Sequence, residues 1–266
     1  MKRILALLIT ALCCIGMLTA CGSDNKETAT DNDDTFVFKH GFDMDYPPYS
    51  YRNDEGEIGG FDVEMAKAVC DYLGWEYESV PFNWDAKDAE LESGACDCIW
   101  SGFTLNGRED DYCWSVPYSD NTQVIMVLKD SDIKTLDDLK GKNVGVQTAT
   151  SALDLLQGDE KEFADTFAAL NQYDTYTTAV TDLQAHAIDA IAIDVTAANY
   201  YMQKNEGLKL LDETLSTEQY AIGFRLSDTE LRDQVNEALA ALAADGTVAK
   251  IAEKYPEIAD QITLGK

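Results

Sequence analysis

The chain has 266 residues, with 20 Lys+Arg against 49 Asp+Glu and a formal net charge of −29. Such an excess of anions excludes a nucleic-acid binder, which needs clustered cations, and excludes attachment to anionic membrane through a basic protein surface. At 45% hydrophobic and 10% aromatic residues the chain is not compositionally disordered, and its length suits one or two domains with a sizeable core.

Lys2 and Arg3 precede the apolar stretch Ile4-Leu5-Ala6-Leu7-Leu8-Ile9-Thr10-Ala11-Leu12, which runs on to Leu18-Thr19-Ala20-Cys21. A membrane-spanning helix needs about 20 predominantly apolar residues. This segment is slightly short and closes on small residues, so residues 1–20 read as a secretory signal. Leu18-Thr19-Ala20-Cys21 resembles a bacterial lipobox, in which the Cys becomes the first residue and carries lipid; ordinary cleavage nearby is the alternative. Two acyl chains on Cys21 suffice for stable anchoring, where one is marginal. Residues 21–35 hold no large apolar side chain before Phe36 and read as a flexible tether.

From there strands and helices alternate. Residues 36–42 read as a strand and 61–73 as a helix, with Phe61, Met65, Val69 and Tyr72 at helical spacing. Residues 75–80 read as a strand, and 85–92 as a short helix stopped by Ser93-Gly94. Strands are expected at 97–100, 123–128 and 143–147, then a helix over 151–156. A helix over 179–186, a strand over 188–193 and a helix over 195–203 follow. Residues 219–224 read as extended, and two helices over 228–244 and 247–255 close the chain. The alternation predicts α/β layers.

The catalytic vocabulary is thin. There is no nucleophile elbow, no phosphate-cradling Gly-rich loop and no zinc-protease motif, so no catalytic residue and no cofactor are expected. Beyond the signal and Cys21 the chain keeps Cys70, Cys96, Cys98 and Cys113, and His40 and His186 are its histidines. That set is poorly spaced for zinc, so no metal is expected. Buried thiols are favoured over a disulfide involving Cys70 or Cys113, although an exported chain permits one.

Asp43-Met44-Asp45-Tyr46-Pro47-Pro48-Tyr49-Ser50-Tyr51, followed by Gly59-Gly60-Phe61-Asp62-Val63-Glu64-Met65, resembles the opening of the polar amino-acid solute-binding proteins of bacterial ABC importers, family 3. Trp100-Ser101-Gly102-Phe103-Thr104 with Arg108, then Trp114-Ser115-Val116-Pro117-Tyr118, is similar to that family's second signature. Thr135-Leu136-Asp137-Asp138-Leu139-Lys140-Gly141-Lys142, Val146-Gln147, Ile188-Asp189-Ala190 and Gln219-Tyr220-Ala221-Ile222-Gly223-Phe224 follow in family order, so the likeness covers about residues 36–257. It implies an α/β, two-lobed periplasmic-binding-protein-like fold (type II) with two crossover hinge strands. Lobe 1 would comprise residues 36–122 and 218–266, and lobe 2 residues 123–217. No membrane-crossing protein segment is implied; Cys21 would make the attachment, outside the cytoplasmic membrane, at the cell surface or in the periplasm.

A free amino acid is a zwitterion, so its pocket needs a cation, an anion and a dry contact. Arg108 suits the first, since a guanidinium grips a carboxylate through two parallel hydrogen bonds. Asp194 suits the second, facing the α-ammonium, with hydroxyl and backbone groups from Ser101, Gly102 and Thr104 at either end. Each has a plainer alternative: a surface ion pair for Arg108, a helix N-cap for Asp194, loop hydroxyls bonding their own backbone for the others. The resemblance decides for ligand binding, with one departure: Arg108 stands four residues beyond Thr104, where the family usually has five. By the same resemblance Tyr46 and Trp84 match aromatics that sandwich the ligand. Asp43 could reach a distal nitrogen, or merely form an Asx-turn. Gln147, Thr148, Thr150 and Ser151 lie where the second lobe would meet the ligand, with Ala149 replacing a usual Gly.

The expected ligand is a polar amino acid of basic or amide type, with cystine left open. The expected partners are that ligand and the ABC permease subunits in the membrane, with the binder a monomer. Two other classes stay in view. One is a dehydratase on cyclic amino-acid precursors such as prephenate or arogenate, with Asp43 as its acid. The other is a lipoprotein that presents its ligand state to a receptor.

Overall fold

A computed structural model describes residues 35–53 and 55–266; the secretory signal, Cys21 and all of the tether but Thr35 lie outside the described residues. Strand β1 (Val37–Asp43) leads into three short strands, β2 (Asp45–Tyr46), β3 (Ser50–Arg52) and β4 (Ile58–Gly59), which pair antiparallel among themselves. Helix α1 (Phe61–Leu73) buries Phe61, Met65, Ala66, Val69 and Cys70 along one face. It stops where Gly74 turns left-handed at φ 70°, a conformation Gly adopts without a Cβ penalty. Tyr72, which the spacing assigns to the apolar stripe, is half exposed, and Leu73 takes its place against the core.

Strand β5 (Glu76–Phe82), a 3₁₀ turn at Trp84–Ala86, helix α2 (Lys87–Ser93) and the short strands β6 (Cys98–Ile99) and β7 (Cys113–Trp114) follow. The long strand β8 (Ser119–Leu128) leads to β9 (Asn143–Gln147), α3 (Ser151–Gln157), α4 (Lys161–Ala164), β10 (Ala169–Tyr173), α5 (Tyr176–Gln184), β11 (Ala190–Asp194) and α6 (Val195–Lys204). Strand β12 (Leu208–Tyr220) returns alongside β8, and β13 (Gly223–Phe224), α7 (Thr229–Ala244) and α8 (Thr247–Ala252) complete the order.

The strands form two five-stranded mixed sheets, ordered β5-β1-β6-β13-β7 and β10-β9-β11-β8-β12. Strands β8 and β12 pair antiparallel from Leu208↔Leu128 to Tyr220↔Ser119, and the chain passes between the sheets along them. The expected lobe limits, 122/123 and 217/218, therefore fall inside these strands rather than at their ends. The second sheet is covered on both faces, as its side chains alternate. Val124, Met126, Ile191 and Ile193 pack with Tyr176, Ala179, Leu183 and Ala197; Ile125, Val127, Val144, Val146 and Ala192 pack with Leu153 and Leu156. Beneath the first sheet, α1, α7 and α8 share a core that includes Phe38, Met65, Val69, Leu239 and Ile251.

Several elements depart from the periodicity. Helix α5 runs over 176–184, not 179–186, because the Thr175 hydroxyl accepts from Thr178 N and starts it early; His186, at φ 58°, lies past its end. Strands β10 and the body of β12 were not expected. Cys70, Cys96, Cys98 and Cys113 are buried free thiols, in line with the favoured reading, and burial pushes Cys70 and Cys96 up to about 12. No helix among the described residues is long and apolar enough to cross a membrane.

Candidate functional site

The C-terminal ends of parallel strands and the loops after them meet in one small cavity. It is lined by Asp43, Tyr46, Trp84, Ser101, Gly102, Thr104, Arg108, Gln147, Thr150, Ser151 and Asp194, all expected from the sequence. Thr148 is not among them: its hydroxyl donates to Tyr173 O at 3.2 Å, toward the neighbouring strand.

From the first sheet, Asp43 ends β1 with 5% of its surface exposed. Its Oδ1 accepts from Asp45 N at 2.9 Å, so the Asx-turn is real, while Oδ2 accepts from Gln147 Nε2 at 3.0 Å. Burial raises its pKa to about 6, against the pull of those two donors. Ser101 bonds Ser50 at 2.6 Å and accepts from Asp43 N at 3.2 Å, rather than serving its own backbone. Gly102 sits at φ 54°, and a Cβ there would lie 2.3 Å from Tyr46 Cε1, so both conformation and space require glycine. Its N–H donates to Asp62 Oδ2 at 2.7 Å, and Tyr118 OH donates to the same oxygen at 2.8 Å. Asp62 thus fixes the binding loop from below, with burial raising it to about 8.

Arg108 reaches the cavity despite the shortened spacing. Arg108 N donates to Leu105 O at 3.0 Å, and Gly107 at φ 80° supplies the positive φ of a type II turn. The turn brings Nη1 to within 3.3 Å of Thr104 O, with the guanidinium 5.4 Å above the Phe103 ring. Nη2 pairs with Asp154 Oδ2 at 2.6 Å, so the surface-pair alternative fails for its own neighbours Glu109 and Asp110 but an ion pair does exist, across to α3. Trp84 packs edge-on against Phe103 and donates from Nε1 to Ala149 O at 3.0 Å.

From the second sheet, Asp194 ends β11 and occupies the N-cap position of α6, yet makes no side-chain cap bond. Its carboxylate instead accepts four donors: Asn121 Nδ2 at 2.7 Å, Gln123 Nε2 at 2.6 Å and Tyr220 OH at 2.7 Å on Oδ1, and Tyr176 OH at 3.0 Å on Oδ2. Because Tyr220 donates to Asp194, its 2.7 Å partner Tyr46 OH must donate to Tyr220. Thr150 caps α3, accepting from Leu153 N, and Ser151 opens the helix beside it. The contacts Trp84–Ala149, Gln147–Asp43, Arg108–Asp154 and Thr177–Asp45 (2.6 Å) draw the two sheets together over the cavity.

The match to the bacterial extracellular solute-binding proteins, family 3, spans residues 38–257. The chain belongs to that family. Family 3 relatives include the L-cystine-binding protein TcyJ of Escherichia coli K12, 33% identical over 219 residues, 81% of this chain and 80% of that protein. The arginine-binding extracellular protein ArtP of Bacillus subtilis is 31% identical over 260 residues, 96% of this chain and 98% of that protein. A crystal structure of an ABC uptake transporter substrate-binding protein from Streptococcus pneumoniae with bound histidine superimposes at a TM-score of 0.81 with 32% identity, covering 85% of this chain and 94% of that one. The two-lobed α/β fold is thus that of extracytoplasmic amino-acid-binding proteins of ABC importers.

Sequence reasoning missed the polar groups behind the cavity wall: Asn121, Gln123, Tyr176, Glu218, Tyr220 and the cross-lobe Asp154. Asn121 and Gln123 did leave a signal, two amides at i and i+2 on the same face as Ile125 and Val127 of β8. Among the described residues no group of three or more His, Cys, Asp or Glu is placed to hold a metal ion.

Proposed function

We propose that the chain captures a polar amino acid of basic or amide type outside the cytoplasmic membrane and delivers it to an ABC permease. The observation that carries this reading is the content of one cavity: a guanidinium, two carboxylates and two aromatic rings, contributed from both sheets. In this reading Arg108 grips the α-carboxylate, while Asp194, with Ser101 and Thr104, takes the α-ammonium. The side chain lies between Tyr46 and Trp84, its distal nitrogen toward Asp43 and Gln147. Acid at the side-chain end favours cations and amides over Glu or Asp; cystine, with a second ammonium, stays within the class.

Ligand that touches groups of both lobes gains its full contact set only when they close, so its differential affinity for the closed form sets the population the permease reads. A bidentate pair, an ammonium–carboxylate pair and an aromatic contact are enough for a micromolar site, about −8 kcal/mol. Cys21 carries the lipid that keeps the binder beside its permease and raises its effective concentration. A Cys21→Ser protein is therefore expected to lose its lipid attachment and to be found in the medium or the soluble periplasmic fraction rather than in the membrane fraction.

The test is a thermal-shift screen of the purified protein against the standard amino acids and cystine. Ligand at 100 times its dissociation constant stabilises by about 2.7 kcal/mol, so arginine, lysine, histidine, glutamine or cystine should raise Tm clearly. A rise with glutamate and none with these would overturn the assignment.

A further inference from the structure

Glu218 stands on β12 directly opposite Asn121 of β8, in the pair of strands that joins the two sheets, and only 6% of its surface is exposed. Its Oε1 gathers donors from every side. Asn121 Nδ2 lies at 2.8 Å and Gln123 Nε2 at 2.9 Å, and both amides also donate to Asp194. Thr104 Oγ1, from the first sheet's binding loop, donates at 2.9 Å, and Ser151 Oγ, from the start of α3, at 3.3 Å. A carboxylate oxygen that receives a hydroxyl proton dictates where that hydroxyl's lone pairs point. Thr104 and Ser151 both line the cavity, so with their protons drawn to Glu218 they present acceptors to whatever lies within it.

We propose that Glu218 is a positioning residue for the α-ammonium: its carboxyl oxygen behind Asp194 orients the Thr104 and Ser151 hydroxyls as acceptors. The proposal rests on the amino-acid reading above. Its consequence is a requirement for a donor at the ligand's α position. An α-hydroxy acid has one proton to give where an ammonium has three and a charge, and should be rejected strongly. Burial and the Asp194 charge both raise Glu218, the expected mark of an acid held there for a purpose other than stability. Because one oxygen, carried on β12, bonds groups from the first binding loop, β8 and α3, ammonium recognition and closure share the same four hydrogen bonds.

The experiment first finds, by calorimetry on the wild-type protein, the standard amino acid or cystine that binds best. It then measures that ligand and its α-hydroxy analogue on Glu218→Gln, Thr104→Val and the double variant. Glu218→Gln should weaken the amino acid by about tenfold to a hundredfold, the worth of a charge-assisted contact. The amino-over-hydroxy preference should fall by a similar factor, and the double variant should lose little more than either single one. An unchanged preference, whether both ligands bind as before or both weaken equally, overturns the proposal, since a purely structural residue would act that way. Should Glu218→Gln fail to fold, Glu218→Asp draws the carboxylate back by one methylene and is expected to lower the preference in the same direction; no change there is equally fatal. Binding of no amino acid by the wild-type protein would instead remove the ligand reading itself.

Discussion

Two aspartates end strands of the two sheets, Asp43 on β1 and Asp194 on β11, and both line the cavity at about equal burial, 5% and 4% exposed. Their surroundings differ. Asp194 accepts four side-chain donors, two amides and two phenols, and its charge is fully met by the protein. Asp43 receives one backbone N–H and one amide, too little to offset burial, and its pKa rises to about 6. The contrast separates two tasks. An α-ammonium is common to all amino acids, so the acid that meets it can be held in place by a rigid network. A side chain varies between ligands, and the acid that meets it, raised to about 6, is left able to gain or lose its proton near physiological pH.

The largest effect should come from the fixed acid. Asp194→Asn keeps an acceptor at Oδ1 for Asn121, Gln123 and Tyr220 and places its NH2 beside the Tyr176 hydroxyl, but it removes the charge that partners the ammonium. Affinity for every amino acid should fall by about a hundredfold or more, the scale for breaking a buried charge pair. Arg108→Ala should do the same through the carboxylate. If calorimetry finds a loss for some amino acids only, Asp194 reads the side chain and the contrast is wrong.

Asp43 should act more selectively. Asp43→Asn is expected to weaken a basic ligand about tenfold and an amide ligand little. In the wild-type protein, a cationic side chain must displace the Asp43 proton below about pH 6, so its Kd should rise roughly tenfold per pH unit there. That dependence should vanish in Asp43→Asn. Stability moves the other way. A carboxyl raised from 3.8 to about 6 on folding contributes stability that is fully present below 3.8 and lost as pH rises through 6. At neutral pH the substitution removes the cost of that buried charge, less what is lost where its NH2 meets the Gln147 amide, so stability should rise slightly while affinity falls. Equal loss for basic and amide ligands, with no pH dependence, would break the division of labour.

The family resemblance, not spacing alone, picked out Asp43, Arg108 and Asp194, which the structure brings to one cavity. Arg108 and Asp194 needed no distant partner to be noticed, although the turn at Gly107 that delivers Arg108 was visible only in the structure. Glu218 was not readable: its meaning lies in a register with Asn121, 97 residues away, and in hydroxyls from two other loops. Strand β12 hid for a related reason. Leu208-Lys209-Leu210-Leu211-Asp212-Glu213-Thr214 does not alternate, and the register shifts between Leu210 and Ser216, so no period of two survives. Helix α5 shows the milder failure, where periodicity found the helix but the Thr175 cap set its start.

The smallest effect concerns the loop that runs from Asp43 to the cluster around Asp194. Gln147 donates to Asp43, and Ser151 belongs to the cluster around Glu218 and Asp194; Ala149 lies midway between them. It holds φ 58°, a left-handed conformation that costs an L-residue about 1–2 kcal/mol and glycine nothing. Its carbonyl also accepts from Trp84, so the strained residue is tied across the cavity to the opposite sheet. Ala149→Gly removes the strain but adds unfolded-state entropy worth about 0.5–1 kcal/mol. The net gain in urea denaturation should be positive and under about 1 kcal/mol. Binding should change by less than about threefold, since no contacting side chain is lost. A larger fall in affinity would mean that the stiffness of this one loop, rather than the donors around each aspartate, sets how the two ends of the cavity work together.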